Sequence, residues 1–508
     1  MKTNHRKTLL AIGIEAAEAS LVRRLIDQDQ LPVLKSLLAN GKWLRVNSPT
    51  HIGTSAVWPC FMTGQDVADH GIYSEWCWEP GTMSVSTLTS DGPQPFWKMF
   101  AETGQSVGVL GVPFMPFVAG LPGFQISDNP PFLPRGGASA VSSSITKQTV
   151  IEAMSRGHVG VLGPDDFPNL RKLAADAMAG IKLRGELAER LLKETKPDVS
   201  IIVFTETHES GHCLWQTIEP SHPLFKEDFF EKYKDIRPGV SEIYQEVDRQ
   251  IGQLIATVDS RSTIMVFALH GMRPARGVPT FLAPMMSAAG FSAMADFEDQ
   301  TWSGRGRRLL ATAKRAVPAP LKRIYYRALP RATVFRWAAP TIMPPYDWSR
   351  TRVFPLVTEQ HASIRVNLVG REAKGIVPPA DYDKVCGEVE GWLRALRAID
   401  GSPLTKEVIR TAATADEART RRIPDVLAHW TDAAFASPLR IEGSDAEFYS
   451  DGARYLTQHT SEGFCILSQA DALQNRDSIE AKDLGRLMQQ IVLPATPQFA
   501  GTVRSHAP

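Results

Sequence analysis

The sequence predicts an α/β fold in which helices cover both faces of a mostly parallel central sheet. Two observations support this prediction. Short apolar runs recur along the chain, and each is followed by a loop and a helix-like stretch. The runs are continuous in Val, Ile and Leu rather than alternating with polar residues, which is typical of parallel strands buried on both faces. In such sheets, ligands gather at the carboxyl ends of the strands.

Four of these runs are predicted strands. The first is LLAIGI (9–14), and it leads into residues 16–39, whose apolar spacing suits an amphipathic helix. The next two are SVGVLGVP (106–113) and VSIIVF (199–204), and the fourth is STIMVFALHG (262–271). A later stretch, 347–430, is richer in β-type residues and turns. We therefore expect further strands there.

Length and composition limit the possible classes of protein. A chain of 508 residues suits two to three domains, or one large α/β domain with an insertion. Its contents of 43% hydrophobic and 22% charged residues are ordinary for a globular protein. A formal net charge of +1 argues against a polyanion-binding chain, so we expect no specific nucleic-acid binding. The composition leaves the oligomeric state open.

The amino terminus and the cysteines bear on location. The start is basic, then apolar, then rich in small residues, like a signal peptide, but the apolar run 9–14 is only as long as a strand. Five scattered cysteines without a CxxC pair indicate a reducing compartment. No run of 18 apolar residues predicts a membrane span. We therefore predict a cytoplasmic protein.

The predicted domain organisation is a core interrupted by a cap. Residues 1–272 form the first part of the α/β core, 273–346 a basic cap or insertion, and 347–495 the second part of the core. Within the cap, the segment 304–337 holds ten Lys and Arg residues and no acid. Such a segment is usually a solvated helical face, but it could also sit over an anionic substrate or against an acidic partner. The last residues, 496–508, are predicted to be a loose tail.

The sequence HESGH at 208–212 fits the H-E-x-x-H pattern of zinc peptidases. In those enzymes both histidines lie within a helix. Here the motif begins four residues after a buried strand, and Gly211 disfavours a helix by about 1 kcal/mol relative to alanine. The context therefore favours two histidines on a loop at the end of a strand, where a metal site remains possible.

Other polar residues follow the predicted strands in the same way. A lone histidine is usually structural, but several beside strand ends suggest one site. The residues in question are Glu15 after the first strand, Thr54 ahead of a predicted helix, His208 and His212 after the third strand, His270 after the fourth, and His459 far downstream.

An ordered series of motifs resembles the type I phosphodiesterase/nucleotide pyrophosphatase branch of the alkaline phosphatase superfamily. The series comprises LLAIGIEA (9–16), LPVLKSLLANG (31–41), IGTSAVWPCFMTG (52–64), DHGIY (69–73), DWSRTRVF (347–354), VNLVGREAKGIV (366–377) and IPDVLAHW (423–430). The similarity runs from about residue 8 to residue 495. It implies an alkaline-phosphatase-like fold, and it implies activity less strongly.

The resemblance also implies a catalytic apparatus. Enzymes of this family use two metal ions about 4 Å apart to clamp the attacking and leaving oxygens of an in-line displacement, with a threonine or serine as the nucleophile. The nucleophile corresponds to Thr54. Family metal ligands correspond to Glu15, His208, His212, His270 and His459, and one family aspartate corresponds to Leu269. HESGH then matches the family's D-x-x-x-H pair, so its likeness to a peptidase is accidental.

The family has aspartates at the positions of Glu15, His208 and Leu269, so three of its aspartates are replaced. The replacements affect the two metal sites unequally. Glu15 and His208 can still bind an ion, whereas Leu269 cannot. We expect His208, His212 and His459, with Glu15 as a possible fourth ligand, to hold one divalent ion, and the second site to be weak or absent. Zinc is the expected metal, with iron or manganese as alternatives.

A further departure concerns substrate binding. Where the nucleotide pyrophosphatase branch carries an asparagine that hydrogen-bonds phosphate, the corresponding residue is Glu75. A carboxylate there would repel phosphate unless it were protonated or bound to metal. We keep Glu75 as a predicted substrate-binding position.

Three functions stay open. The first is a metal-dependent hydrolase of an anionic phosphate ester, chiefly a phosphodiester, with Thr54 as the nucleophile. The second is a mononuclear-metal enzyme of different chemistry on the same fold, such as a lyase, an oxygenase or an esterase of a non-phosphate ester. The third is a non-catalytic relative, which Leu269 favours and the presence of Thr54 and the histidines disfavours.

Overall fold

The computed structural model describes most of the chain. The described residues are 7–74, 76–87, 93–126, 170–219, 231, 234–236, 239–275, 279–295, 343–358, 361–436, 438–448, 457–469 and 476–493. Several predicted features lie outside these residues. They are Glu75, the basic segment 304–337, most of the predicted cap, and the predicted tail 496–508.

The described ranges contain the following strands and helices, numbered in chain order. The strands are β1 (Leu9–Ile14), β2 (Lys42–Asn47), β3 (Trp76–Glu79), β4 (Ser84–Thr87), β5 (Val107–Leu110), β6 (Gly123–Ile126), β7 (Val199–Phe204), β8 (Thr263–Ala268), β9 (Gly271–Pro274), β10 (Val353–Pro355), β11 (His361–Val366), β12 (Thr405–Arg410), β13 (Val426–Trp430), β14 (Leu439–Arg440), β15 (Glu447–Phe448), β16 (Thr457–Thr460), β17 (Glu462–Leu467) and β18 (Ser478–Glu480). The helices are α1 (Ala19–Asp27), α2 (Pro32–Asn40), α3 (Val57–Thr63), α4 (Val67–His70), α5 (Lys98–Glu102), α6 (Leu170–Thr195), α7 (Glu206–Leu214), α8 (Gly239–Ile255), α9 (Leu282–Ala288), α10 (Tyr382–Ala395), α11 (Ala415–Thr420) and α12 (Leu484–Val492).

An eight-stranded sheet with the order β18-β2-β17-β8-β1-β7-β5-β6 forms the centre of the fold. Strand β1 runs parallel to both of its neighbours, β7 and β8, and β5 runs parallel to β6 and β7. Only β17 runs antiparallel to its neighbours within this sheet. The α/β class and the mostly parallel sheet predicted from the sequence are therefore confirmed.

Both faces of this sheet are covered by helices, as the continuous apolar strands require. Alternate residues of β1 point to opposite sides, with Leu10 and Ile12 in one apolar cluster and Leu9 and Ala11 in the other. Helices α1, α2, α6 and α8 contribute to the first cluster, and α3 and α12 contribute to the second. Burial on both faces explains why β1, β7 and β8 have no exposed residue.

The β-rich stretch after residue 347 builds a second sheet. Strands β10-β11-β13-β12 are all antiparallel and pack with α10 around a separate apolar cluster. The chain then returns to the large sheet through β17 and β18. Within the described ranges, none of the helices combines the length and apolar character that crossing a bilayer requires.

Candidate metal centre

Several of the sequence-predicted site residues lie at one edge of the large sheet. Glu15 directly follows β1, and His270 comes two residues after the end of β8. Strand β7, which lies between Glu15 and His270 in the sequence, ends at Phe204 and leads into helix α7. Because β1 lies between β7 and β8 and all three are parallel, their carboxyl ends meet at the same edge.

Helix α7 carries HESGH, so the expectation of a loop there is wrong. His208 and His212 lie four residues apart on this helix, which puts both imidazoles on one face. Two acids, Glu206 and Glu209, stand in its first turn, where they interact favourably with the helix dipole. Gly211 costs helix propensity but makes room: a Cβ at this position would lie 2.3 Å from the sulfur of Met272. Tertiary packing therefore outweighs the propensity of Gly211.

The third histidine, His459, lies on a short two-stranded antiparallel sheet. Strand β16, which contains His459, pairs with β9, and His459 lies opposite Met272. The Nε2 atoms of His208 and His212 are 3.0 Å apart, and those of His208 and His459 are 3.2 Å apart. The third distance, from His212 Nε2 to His459 Nε2, is 3.1 Å.

These distances fit the ligands of one metal ion. Nitrogens at about 2.1 Å from a shared ion lie roughly 3.0 to 3.4 Å from one another, depending on its geometry. Three ring nitrogens converging this closely repel one another unless a proton or a cation lies between them. Among the described residues, these three histidines are the group of possible ligands found close enough together to hold an ion.

The environment keeps two of the imidazoles neutral, the form that binds metal. Burial lowers the pKa of His212 to about 3, a shift increased by the nearby His270. Burial also lowers the pKa of His459 well below its ordinary range, and the neighbouring histidines act in the same direction. Their lone pairs are therefore available at neutral pH without competition from protons.

Glu15 lies beside the three histidines rather than among their Nε2 atoms. Its Oε1 atom is 4.0 Å from Nδ1 of His208 and 3.5 Å from Nε2 of His270. Its Oε2 atom accepts a hydrogen bond from the indole of Trp58, and the side chain is buried. The structure thus pairs Glu15 with His270 more closely than with the three-histidine group.

Leu269, which the sequence resemblance aligns with a family aspartate, has a buried apolar side chain. It is 1% exposed and belongs to the same apolar cluster as Trp58 and Phe267. The side chain of Leu269 has no atom that could bind a second ion.

Thr54 opens a short 3₁₀ turn, Thr54–Ala56, that runs directly into α3. Trp58 follows one helical turn later, and its bond to Glu15 ties this helix to the end of β1. Pro59 lies in the first turn of α3, where the missing N–H is not needed by the helix.

Several residues that support the site were not predicted from the sequence. The buried guanidinium of Arg184 on α6 donates from Nε to Glu206 at 2.9 Å and from Nη2 to the hydroxyl of Thr205 at 3.1 Å. The hydroxyl of Thr207 donates to the carbonyl of Glu15 at 2.6 Å. These bonds fix the start of α7 immediately ahead of His208. No local pattern marks Arg184. Thr457, whose hydroxyl lies 3.0 Å from Nδ1 of His212, could have been found, because it precedes His459 by the two-residue period of a strand.

Comparison with known proteins agrees with this fold. The family model described as type I phosphodiesterase / nucleotide pyrophosphatase matches residues 9–444. Phosphonoacetate hydrolase from Sinorhizobium meliloti 1021, solved with phosphonoformate, superimposes with a TM-score of 0.52 at 14% identity over 96% of each chain, which shows a shared fold. An inactive murine ectonucleotide pyrophosphatase / phosphodiesterase 5 in complex with AMP covers 96% of this chain and 97% of its own at 11% identity. Its TM-score is 0.44. No curated protein sequence matches the chain.

Proposed function

Since the chain belongs to the type I phosphodiesterase / nucleotide pyrophosphatase family, we propose that it is a metal-dependent hydrolase of an anionic phosphate ester, with Thr54 as its nucleophile. One observation supports the metal dependence: the Nε2 atoms of His208, His212 and His459 lie 3.0–3.2 Å from one another. His208, His212 and His459 hold one divalent ion. Three imidazoles suit zinc, with iron or manganese as alternatives.

When bound, such an ion acts as a Lewis acid towards a phosphoryl oxygen and lowers the pKa of water. The protein supplies the remaining groups. Thr54 Oγ1 gives its proton to a neighbouring base and attacks phosphorus in line, the P–O bond to the leaving alcohol breaks, and the alcohol takes a proton. Water then hydrolyses the phosphothreonine and restores Thr54. The buried Glu15 and His270 lie at the same sheet edge, where they can exchange protons with these oxygens.

A second ion does not fit the donors that remain. After the three histidines are assigned, His270, Glu15 and Thr54 are left, and Leu269 fills the position of a fourth ligand with an apolar side chain. Two neutral donors and one shared carboxylate are poor ligands for a tightly held divalent ion. We therefore propose one bound ion per chain, and no step of the reaction is assigned to a second ion.

The close approach of the three histidines also favours one alternative function. An ion held by three imidazoles on one side leaves coordination positions open on the other, as in mononuclear enzymes that activate water or dioxygen. A lyase, an oxygenase or an esterase of a non-phosphate ester would use such a site without Thr54. Dependence on Thr54 therefore distinguishes this alternative from the leading proposal.

Turnover of a chromogenic phosphodiester, bis(p-nitrophenyl) phosphate, tests the proposed function. We expect hydrolysis by the metal-loaded protein, a loss of at least about 100-fold in Thr54→Ala, and little change in the matched control Ser55→Ala. His212→Ala should lose both metal and turnover. Turnover that does not depend on Thr54, or no turnover despite a bound ion, would favour the alternative. Absence of metal would favour a non-catalytic relative.

A further inference from the structure

Two histidines of the second sheet contact the turn that leads to Thr54. His361 on β11 and His429 on β13 are directly paired across the antiparallel strands, and their ring centroids are 4.6 Å apart. Both rings face the 3₁₀ turn Pro49–His51. That turn ends three residues before Thr54, so the second sheet contacts the backbone just ahead of the proposed nucleophile.

Each histidine bonds one carbonyl of the turn. Nε2 of His361 lies 2.9 Å from the carbonyl oxygen of Thr50, and Nε2 of His429 lies 2.9 Å from that of His51. A carbonyl oxygen only accepts, so Nε2 carries the hydrogen in both rings. Two N–H donors on adjacent strands therefore hold two consecutive carbonyls.

Burial and a carboxylate strengthen these contacts. Thr50 is 3% exposed, so its carbonyl has little access to water as a substitute partner. On the other side of the His429 ring, Oε2 of Glu407 on β12 lies 3.2 Å from Nδ1, and since a carboxylate only accepts, the ring donates from Nδ1 in this contact as well. The carboxylate, the ring and the carbonyl of His51 thus form a chain from the second sheet to the turn.

The other end of the turn is tied to the three-histidine site. The backbone N–H of Ser48 donates to the carbonyl of Ser461 at 2.9 Å, two residues beyond His459. Past the turn, Gly53 packs so closely that a Cβ there would lie 1.9 Å from the carbonyl oxygen of Tyr73. The turn is held from both sides, and its position relative to the metal centre depends on both.

We infer that His361 and His429 are positioning residues, which fix the backbone before Thr54 so that its hydroxyl points at the substrate held by the three-histidine centre. This inference rests on the proposed function, because it assigns the two histidines a role in aligning the nucleophile. Misplacement of a reacting group by about 1 Å can cost roughly 100-fold in rate, so two bonds of this kind are sufficient to control turnover.

Substitution by glutamine and by leucine tests this role. Glutamine presents an N–H donor close to the place of Nε2, whereas leucine fills the space without donating. We expect His361→Leu and His429→Leu to lower kcat about 10- to 100-fold with KM and metal content unchanged, and the glutamine variants to recover most of the rate. Equal impairment by glutamine and leucine, or no effect of leucine, would overturn the inference.

Hydrogen exchange provides a readout that does not need activity. Amides of residues 48–58 should exchange faster in the leucine variants than in the native chain and the glutamine variants, while β1 and α7 keep their native exchange. Hydrogen exchange tests the role of the two histidines even if the native protein hydrolyses no phosphodiester. The inference can therefore be refuted independently of the proposed function. Should leucine prevent folding, asparagine at either position replaces it, since its amide is too short to reach the carbonyl. Native exchange over 48–58 in the asparagine variants would refute the role.

Discussion

The hydroxyl of Thr457 lies 3.0 Å from Nδ1 of His212, across the ring from the Nε2 atom that faces the other histidines. With an ion on Nε2, the neutral ring carries its hydrogen on Nδ1, and the hydroxyl of Thr457 is placed to accept it. This contact places the hydrogen on Nδ1 and leaves the lone pair of Nε2 for an ion. Thr457 therefore selects the tautomer in which His212 can bind metal.

Replacing Thr457 by valine should weaken metal binding. Valine has nearly the same shape but cannot accept the Nδ1 hydrogen, so the ring loses both its orientation and its tautomer preference. We expect the dissociation constant for zinc to rise about 10- to 100-fold in Thr457→Val, and to stay near the native value in Thr457→Ser. A chelator competition titration measures both constants. Equal affinities in the two variants would show that the contact has no influence on the ion.

Removing the buried cation of Arg184 should destabilise the fold. Glu206 and Arg184 have side chains only 1% and 0% exposed, and losing one partner of such a pair leaves a buried charge. Arg184→Met should lower the free energy of unfolding by about 3–5 kcal/mol. Arg190→Met on the same helix is the matched control: its pair with Glu194 is solvent-exposed, so less than about 1 kcal/mol is expected. Similar costs for the two variants in denaturant unfolding would contradict the proposed importance of the buried pair.

Introducing a carboxylate at residue 269 should create a second metal site. In Leu269→Asp, the new ligand lies beside His270 and Glu15, and we expect the bound metal to rise from about one to about two ions per chain. Without added metal, the buried charge should destabilise this variant by at least about 1–3 kcal/mol. Leu269→Asn has the same shape without the charge and should keep one ion. A metal content that stays at one in Leu269→Asp would mean that Leu269 is not what excludes the second ion.

Acid should weaken the structure around His70. The N–H of Ile72 donates to Nδ1 of His70 at 3.0 Å, and Nε2 lies 3.1 Å from the sulfur of Cys60. Burial lowers the pKa of this imidazole from 6.5 to about 4 in the folded chain. The unfolded chain therefore binds the extra proton first as pH falls, so the stability contributed by neutral His70 is present above pH 6.5 and is lost towards pH 4.

His70→Gln removes this titration and isolates it from those of the other histidines. We expect the difference in unfolding free energy between the native chain and the variant to shrink as pH is lowered from about 6.5 to 4. Denaturant unfolding at several pH values measures it. A difference that grows with acid would mean that His70 is protonated more readily in the folded state than in the unfolded state.

The parts of the fold that follow from local pattern were predictable. VSIIVF coincides with the strand Val199–Phe204, because a short continuous apolar run rich in β-branched residues favours a strand buried on both faces. The helix over HESGH was not predictable, since the packing of Gly211 on Met272 involves a strand far along the chain. The convergence of the site histidines at one sheet edge followed from strand topology and is seen in the structure. Their roles in binding and catalysis stay predictions.

Residues that act through distant contacts left no pattern in the sequence. Arg184 reaches Glu206 only because α6 packs against α7, and no spacing rule relates the two positions. His361 and His429 lie in a sheet whose strands the β-rich stretch predicted, but their contacts with the turn depend on how that sheet packs beside α3. The domain division into a core, a cap and a tail also stays a prediction, since most of the cap and the tail lie outside the described residues.

Metal analysis of the protein purified without chelator tests most directly whether the three histidines hold one ion together. We expect about one equivalent of zinc, iron or manganese per chain, and less than about a tenth of that in His212→Ala and in His459→Ala. His51→Ala changes an exposed histidine outside the three-histidine group and should retain the full metal content. Two equivalents in the native chain, or a content that His212→Ala leaves unchanged, would contradict a single ion bound by His208, His212 and His459.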